Sequence, residues 1–164
     1  MGEGHVKITL ITVGKLKEDY LKKAVQEYEK RLSRYCKLDI VELPDEKAPE
    51  NMSISQEIEV KNKEGSRIVK NINISSYVIA LAIDGAQRSS EELAGHIEKL
   101  GVQGNGHLTF IIGGSLGLSE EVLQQCNEKL SFSKMTFPHQ LMRVILLEQV
   151  YRCFRINQGE PYHK

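Results

Sequence analysis

Apolar positions along the chain follow two rhythms, and the switches between them lay out the elements. Residues 6–13 (VKITLITV) are β-branched and apolar, which predicts a strand stopped by Gly14. Over residues 18–35 the apolar positions Leu21, Val25, Tyr28, Leu32 and Tyr35 recur at helical spacing, with Lys, Glu and Arg on the other face. Residues 38–43 alternate around Asp39 and Glu42 as a second strand closed by Pro44. The acidic stretch 45–53, flanked by Pro44 and interrupted by Pro49, predicts a loop. Ile54, Ile58, Ile68 and Ile72 then mark a largely polar helix, against which Gly65 counts. Residues 77–83 (YVIALAI) form an unbroken apolar run, as expected of a strand buried on both faces. Ser89 and Glu92 make a capping box for a helix reaching about Leu100. Residues 108–112 are another buried strand ending at Gly113, Ser119 caps a short helix through Cys126, and 130–132 are a short last strand. Pro138 suits the first turn of a long terminal helix running to about Phe154.

Strands alternating with helices predict an α/β fold with a mainly parallel sheet flanked by helices. The 164 residues contain no internal repeat or separating linker, so residues 6–164 are expected to form one domain. Residues 1–5 (MGEGH) read as an N-terminal extension or expression remnant. Hydrophobic residues at 40% and charged residues at 27% exclude wholesale disorder. The apolar runs are far short of the roughly 20 residues of a membrane span. No secretory signal is recognisable, and three unpaired-looking cysteines (Cys36, Cys126, Cys153) without a CxxC motif favour a reducing cytoplasm.

Twenty-two Lys and Arg balance twenty-two Asp and Glu, so nothing global points to nucleic acid. The balance is local. Residues 15–37 carry eight bases against four acids, residues 131–164 five against two, and residues 42–64 seven acids against three bases. The two cationic zones are either solvated helix faces or phosphate-contacting surfaces.

Ligands of open α/β sheets bind outside the carboxyl ends of the strands. Three such ends carry unusual sequence: Ile83-Asp84-Gly85, Gly113-Gly114-Ser115-Leu116-Gly117, and SFSKMTFPH at 131–139. The GGSLG order matches neither GxGxxG nor GxxxxGK[ST], which disfavours NAD and ATP and suits a mononucleotide-like ligand without dominant phosphates. The SFSKMTFPH loop can offer backbone polar groups to a purine edge while Phe132, Met135 or Phe137 packs on its face. Taken singly, Met135 and Phe137 are more often core residues, and Ser133, Lys134 and Thr136 more often solvated. On the terminal helix, Arg143 lies near the start, and Arg152 and Arg155 share a face as a phosphate-contacting stripe or a salt-bridged surface. The final Tyr162, His163 and Lys164 combine an aromatic, an imidazole and an ammonium, suited to holding a nucleobase if the end is not frayed. No HxxxH or HExxH spacing supports a metal, and no GxSxG elbow supports a serine nucleophile.

Taken together, VKITLITVGKLKEDYLKKAVQEYEKRL, PDEKAPEN, IIGGSLGL, LSFSKMTFPHQLMRVILLEQVYRCFRI and GEPYHK resemble the ribosomal RNA large subunit methyltransferase H family, of the SPOUT class, from Val6 to Lys164. The family usually begins with Met at the Val6 position. The resemblance implies an α/β-knot fold with a C-terminal trefoil knot, an obligate homodimer, and S-adenosylmethionine as methyl donor, leaving S-adenosylhomocysteine, with no metal. The implied reaction is methylation of N3 of a pseudouridine in 23S ribosomal RNA, on the assembled 70S ribosome. By motif position the cofactor contacts are Leu81, Gly113, Phe132, Ser133, Lys134, Met135, Thr136 and Phe137, with Gly114 a neighbour. His163 is the first candidate base, Tyr162 stacks on or orients the nucleobase, and Arg143 holds phosphate or the imidate oxygen. Arg152, Arg155 and Lys164 are expected to touch RNA, and His139 to cap its helix or sit at the dimer interface. The rival readings are a non-enzymatic, dimeric knotted RNA-binding protein, a methyltransferase of another RNA such as transfer RNA, and, distantly, a nicotinamide-dependent oxidoreductase.

Overall fold

A computed structural model of the chain describes residues 6–164; the expected extension at 1–5 lies outside the described residues. Five strands form one sheet: β1 (Val6–Val13), β2 (Cys36–Leu43), β3 (Tyr77–Gln87), β4 (His107–Ile112) and β5 (Glu128–Ser131). Their order is β2-β1-β4-β3-β5, and every pairing is parallel. The helices are α1 (Asp19–Leu32), α2 (Ile54–Asn71), α3 (Ser90–Val102), α4 (Glu120–Gln124) and α5 (His139–Asn157).

The continuous apolar runs are explained by burial on two faces. Ile8 and Leu10 point to the core shared with α1, α3 and α5, whereas Ile11 and Val13 point to the core shared with α2 and α4. Parallel strands covered on both sides have no solvent face to fill with polar residues. Helix α5 packs against both α1 and α3 and fixes that layer.

Four local features depart from the sequence pattern. Gly65 sits inside α2 without ending it, because a Cβ there would collide with Ser119; the glycine lets α2 and α4 approach closely. Ser53 and Gln56 form a second capping box that starts α2, a signal that the isoleucine spacing alone does not carry. Strand β3 runs past residue 83, and Leu81 and Ala86 both face Leu130 with the intervening residues outside the ladder. Ile83, expected in a doubly buried strand, is therefore 57% exposed. At α5, Pro138 is the N-cap with extended ψ rather than a residue of the first turn.

Candidate active site

The carboxyl ends of β3 and β4 and the segment following β5 meet in a cleft of about 600 Å³. That is within the roughly 300–1,000 Å³ of small-molecule sites. Its walls come from Leu81 to Ile83, from the turn after β4, and from residues 130–139 with Met142. Of the expected cofactor residues, Leu81, Gly113, Phe132, Ser133, Met135, Thr136 and Phe137 line it together; Lys134 is exposed and does not.

The glycines keep the turn after β4 tight. Gly117 donates its N–H to the Gly114 carbonyl at 3.0 Å and adopts φ of 88°. A Cβ on Gly113 would lie 2.9 Å from the Gly117 carbonyl carbon and oxygen. Real side chains do not make such contacts, so only glycine permits the folded-back turn. Beneath it lies Glu64 of α2, 5% exposed, with Oε1 3.0 Å from where a Gly114 Cβ would stand. Its Oε2 accepts the Glu46 N–H at 3.0 Å. Burial pushes the Glu64 carboxyl above its ordinary range; the Glu46 N–H and Arg67 partly offset this, while Asp45 adds to it.

Opposite, Ser133 accepts the Met135 N–H at 3.0 Å, and the Ser131 hydroxyl donates to the Ser133 carbonyl at 3.1 Å. These local bonds hold the loop open and leave Met135 73% exposed at the rim. The walls are mainly apolar, from Leu81, Phe132, Phe137 and Met142, with polar groups supplied by the backbone and a few hydroxyls. This composition suits a largely apolar small molecule better than a triphosphate.

His139 also lines the cleft, as the first residue of α5. Burial and the neighbouring Arg143 push its imidazole below the ordinary value, with Asp45 opposing. It is thus a neutral group at the mouth at neutral pH. Its position after Phe-Pro at a helix start was the available signal.

Arg143 does not line the cleft. It is 1% exposed, donates from Nη2 to the Gly14 carbonyl at 2.8 Å and from Nη1 to Glu42. One terminal nitrogen holds the β1–α1 loop at Gly14 and the other holds Glu42 of β2, which in turn accepts the Leu16 N–H of that loop.

The terminal tail folds back on α5, away from the cleft of its own chain. Tyr162 donates to Glu148 at 2.7 Å, with its ring edge-on to Tyr151 and under the Arg152 guanidinium at 4.6 Å. Burial, reinforced by Glu148, pushes the Tyr162 phenol up to about 12. Arg152 Nη1 is 3.2 Å from His163 Nδ1, and His163 Nε2 contacts Glu91. A guanidinium only donates, so Nδ1 accepts and Nε2 carries the proton toward Glu91.

Arg152 also grips Glu148 through Nε and Nη2, at 3.1 and 3.0 Å. Arg155 donates to Tyr35, Glu160 and the Pro161 carbonyl at 3.1, 3.0 and 2.8 Å. The expected phosphate stripe is therefore a tail clamp whose charges are neutralised within the chain; Lys164 remains exposed.

The chain is a parallel α/β sheet with a cleft of small-molecule size at its strand ends, and the family model described as "Predicted SPOUT methyltransferase" matches residues 6–163. The chain is 63% identical over 159 residues to the ribosomal RNA large subunit methyltransferase H of Clostridium novyi (strain NT), covering 97% of this chain and 100% of that protein. The protein of that name from Clostridioides difficile (strain 630) is 61% identical with the same coverage. Among solved structures, a probable methylase family protein from Haemophilus influenzae Rd KW20 superposes with a TM-score of 0.53 at 15% identity. It covers 96% of this chain and 70% of that one, a likeness of fold alone. The chain belongs to the SPOUT methyltransferases, within the ribosomal RNA large subunit methyltransferase H family.

Proposed function

We propose that this protein is an S-adenosylmethionine-dependent methyltransferase of 23S ribosomal RNA, acting on N3 of a pseudouridine in the assembled ribosome in the cytoplasm. The observation that carries this reading is the convergence of the β3 end, the Gly113–Gly117 turn and residues 131–137 in one largely apolar cleft. When bound, the donor supplies an electrophilic methyl, so the protein's work is positioning and deprotonation. Leu81, Phe132 and Phe137 would pack against the adenine, and Gly113 and Gly114 would admit it close to the backbone. Ser133, Met135 and Thr136 would hold the remainder at the rim, with Lys134 beside them in solvent.

The N3 proton must leave before or during transfer, because an imide nitrogen is a nucleophile only as its anion. His163 is the base in this reading, and its Nδ1 must first be released by Arg152 to receive that proton. Tyr162 orients the nucleobase and Lys164 meets phosphate. Arg143 acts through the loop it holds rather than on the imidate oxygen.

A homodimer completes the arrangement. Leu141 near the start of α5 and Met135 beside the cleft are exposed apolar side chains suited to contact with a second copy. The tail of one subunit would then serve its partner's cleft. The implied trefoil knot is in keeping with the tight approach of Gly85 to β5, where a Cβ would lie 2.6 to 2.8 Å from the Lys129 and Leu130 backbone.

Removing residues 162–164 tests the reading. Methyl incorporation into ribosomes is expected to vanish while calorimetric affinity for the donor stays within about threefold. Full turnover by the truncated protein removes the tail from the mechanism, and absence of donor binding by the intact protein removes the reading itself. Sedimentation is expected to give a dimer.

A further inference from the structure

Helix α1 buries Leu21, Val25 and Leu32 and turns Lys22, Lys23, Gln26 and Lys30 to solvent. Its other basic residue, Arg31, is paired with Glu27 at 2.7 Å, and Arg34 just beyond the helix is paired with Glu160 at 3.1 Å. Among the described residues no carboxylate lies within ion-pair distance of Lys22, Lys23 or Lys30, nor of Lys15 and Lys17 in the preceding loop. Glu18, Asp19 and Glu29 are the acids that dilute this surface; the first two sit at the helix start, where the macrodipole favours them.

Resting on the RNA methyltransferase reading, we propose that the lysine face of α1, with Lys15 and Lys17, is the surface on which the phosphate backbone of the substrate RNA docks. The placement is specific. The Lys15–Lys17 loop is pinned to the mouth of the cleft, with the Lys17 N–H donating to Gln140 and the Leu16 N–H to Glu42, each at 3.3 Å, beside His139. From there α1 runs for 14 residues, about 21 Å at the helical rise, to Arg34 and Glu160 next to the tail. One cationic strip thus runs from the mouth of this chain's cleft to the base of its own tail, which serves the partner's cleft.

Charge accounting favours the same surface. Arg152 and Arg155 are occupied by Glu148 and Glu160, so the arginines nearest the tail cannot hold the polyanion. With no net charge, the chain gains orientation from one basic face rather than bulk attraction. The apolar side of α1 is already spent on the core, which disfavours a membrane surface, since interfacial helices need that side for lipid. Tyr20, 68% exposed near the cleft end, adds a ring on which a base can stack.

The test is the quadruple substitution K15Q/K22Q/K23Q/K30Q, all at exposed positions, compared with the wild type and with the Lys→Arg counterpart. Affinity for ribosomes in about 0.1 M salt is expected to fall about 10- to 100-fold. The slope of log K against log salt should shrink by about 3 to 4, and the Lys→Arg protein should keep both. Calorimetric affinity for S-adenosylmethionine should not change. An unchanged ribosome affinity and salt slope overturns the proposal, as does lysine-dependent binding to phosphatidylserine vesicles with ribosome binding unaffected. Lysine-dependent ribosome binding without methyl incorporation would leave the docking face standing and sink the activity instead.

Discussion

Arg143 offers the sharpest test of what the site is built from. Arg143→Ala would strip the Gly14 carbonyl of a charged donor and Glu42 of its partner, and would leave a void under α5. Breaking a buried ion pair costs about 3–5 kcal/mol. Glu42 is 37% exposed, and Arg143 Nε has no acceptor to lose, so the low end applies, about 3 kcal/mol. For a chain of this size each kcal/mol moves the midpoint by about 2–4 °C, so thermal unfolding should shift down by about 6–12 °C. Glu42→Gln keeps an acceptor and should cost only about 1 kcal/mol. In the Arg143→Ala background the second change should cost almost nothing, a coupling of about 1 kcal/mol in the double-mutant cycle. A midpoint within 1 °C of wild type, or strict additivity of the two changes, would refute the strut. A protein with wild-type stability but no turnover would return Arg143 to the chemistry.

Gly113→Ala should weaken donor binding by more than about tenfold in calorimetry, since the added carbon collides with Gly117 backbone; near-normal affinity would mean the turn yields freely. For Glu64 the folded carboxyl titrates above its ordinary 4.5, so the native state binds the proton more tightly and stability falls as pH rises through that interval. Glu64→Gln should therefore gain in Tm relative to wild type from pH 4.5 upward and match it below; parallel pH curves would contradict this. Ser53→Ala removes the α2 cap and should lower stability by about 1 kcal/mol, read by denaturant midpoint at constant m-value. Assembled ribosomes should be methylated far faster than protein-free 23S RNA, because a neutral chain of this size has little with which to select one nucleotide; equal rates would oppose that view.

How legible this protein is from its sequence depends on the range of the interaction involved. Strands β1 and β4 declare themselves because burial on both faces forces apolar runs, and Gly14 and Gly113 punctuate them. The three cleft segments are visible for a related reason: glycine and proline cluster where backbone must turn at strand ends. Gly65 misleads because its cause, Ser119, is 54 positions away. The continuation of β3 is hidden because two of its residues share one partner, Leu130. Arg152 and Arg155 read as free cations until Glu148, Tyr35 and Glu160 are found around them. Arg143 misleads most. An arginine on a helix reads as solvated, and the groups that bury it, Gly14 and Glu42, lie more than a hundred residues earlier.

The middle of the sheet is closed by β1 against β4, and Lys7 faces His107 there. At translation rates of about 5–20 residues per second, β1 emerges about 5–20 s before its neighbour exists. Until then its inner edge is a bare hydrogen-bonding row with apolar side chains on both sides, the kind of segment that invites strand-to-strand aggregation. Nascent chains of this protein should accordingly depend on holding chaperones during synthesis, and overproduction should favour inclusion bodies unless the rate of translation is lowered.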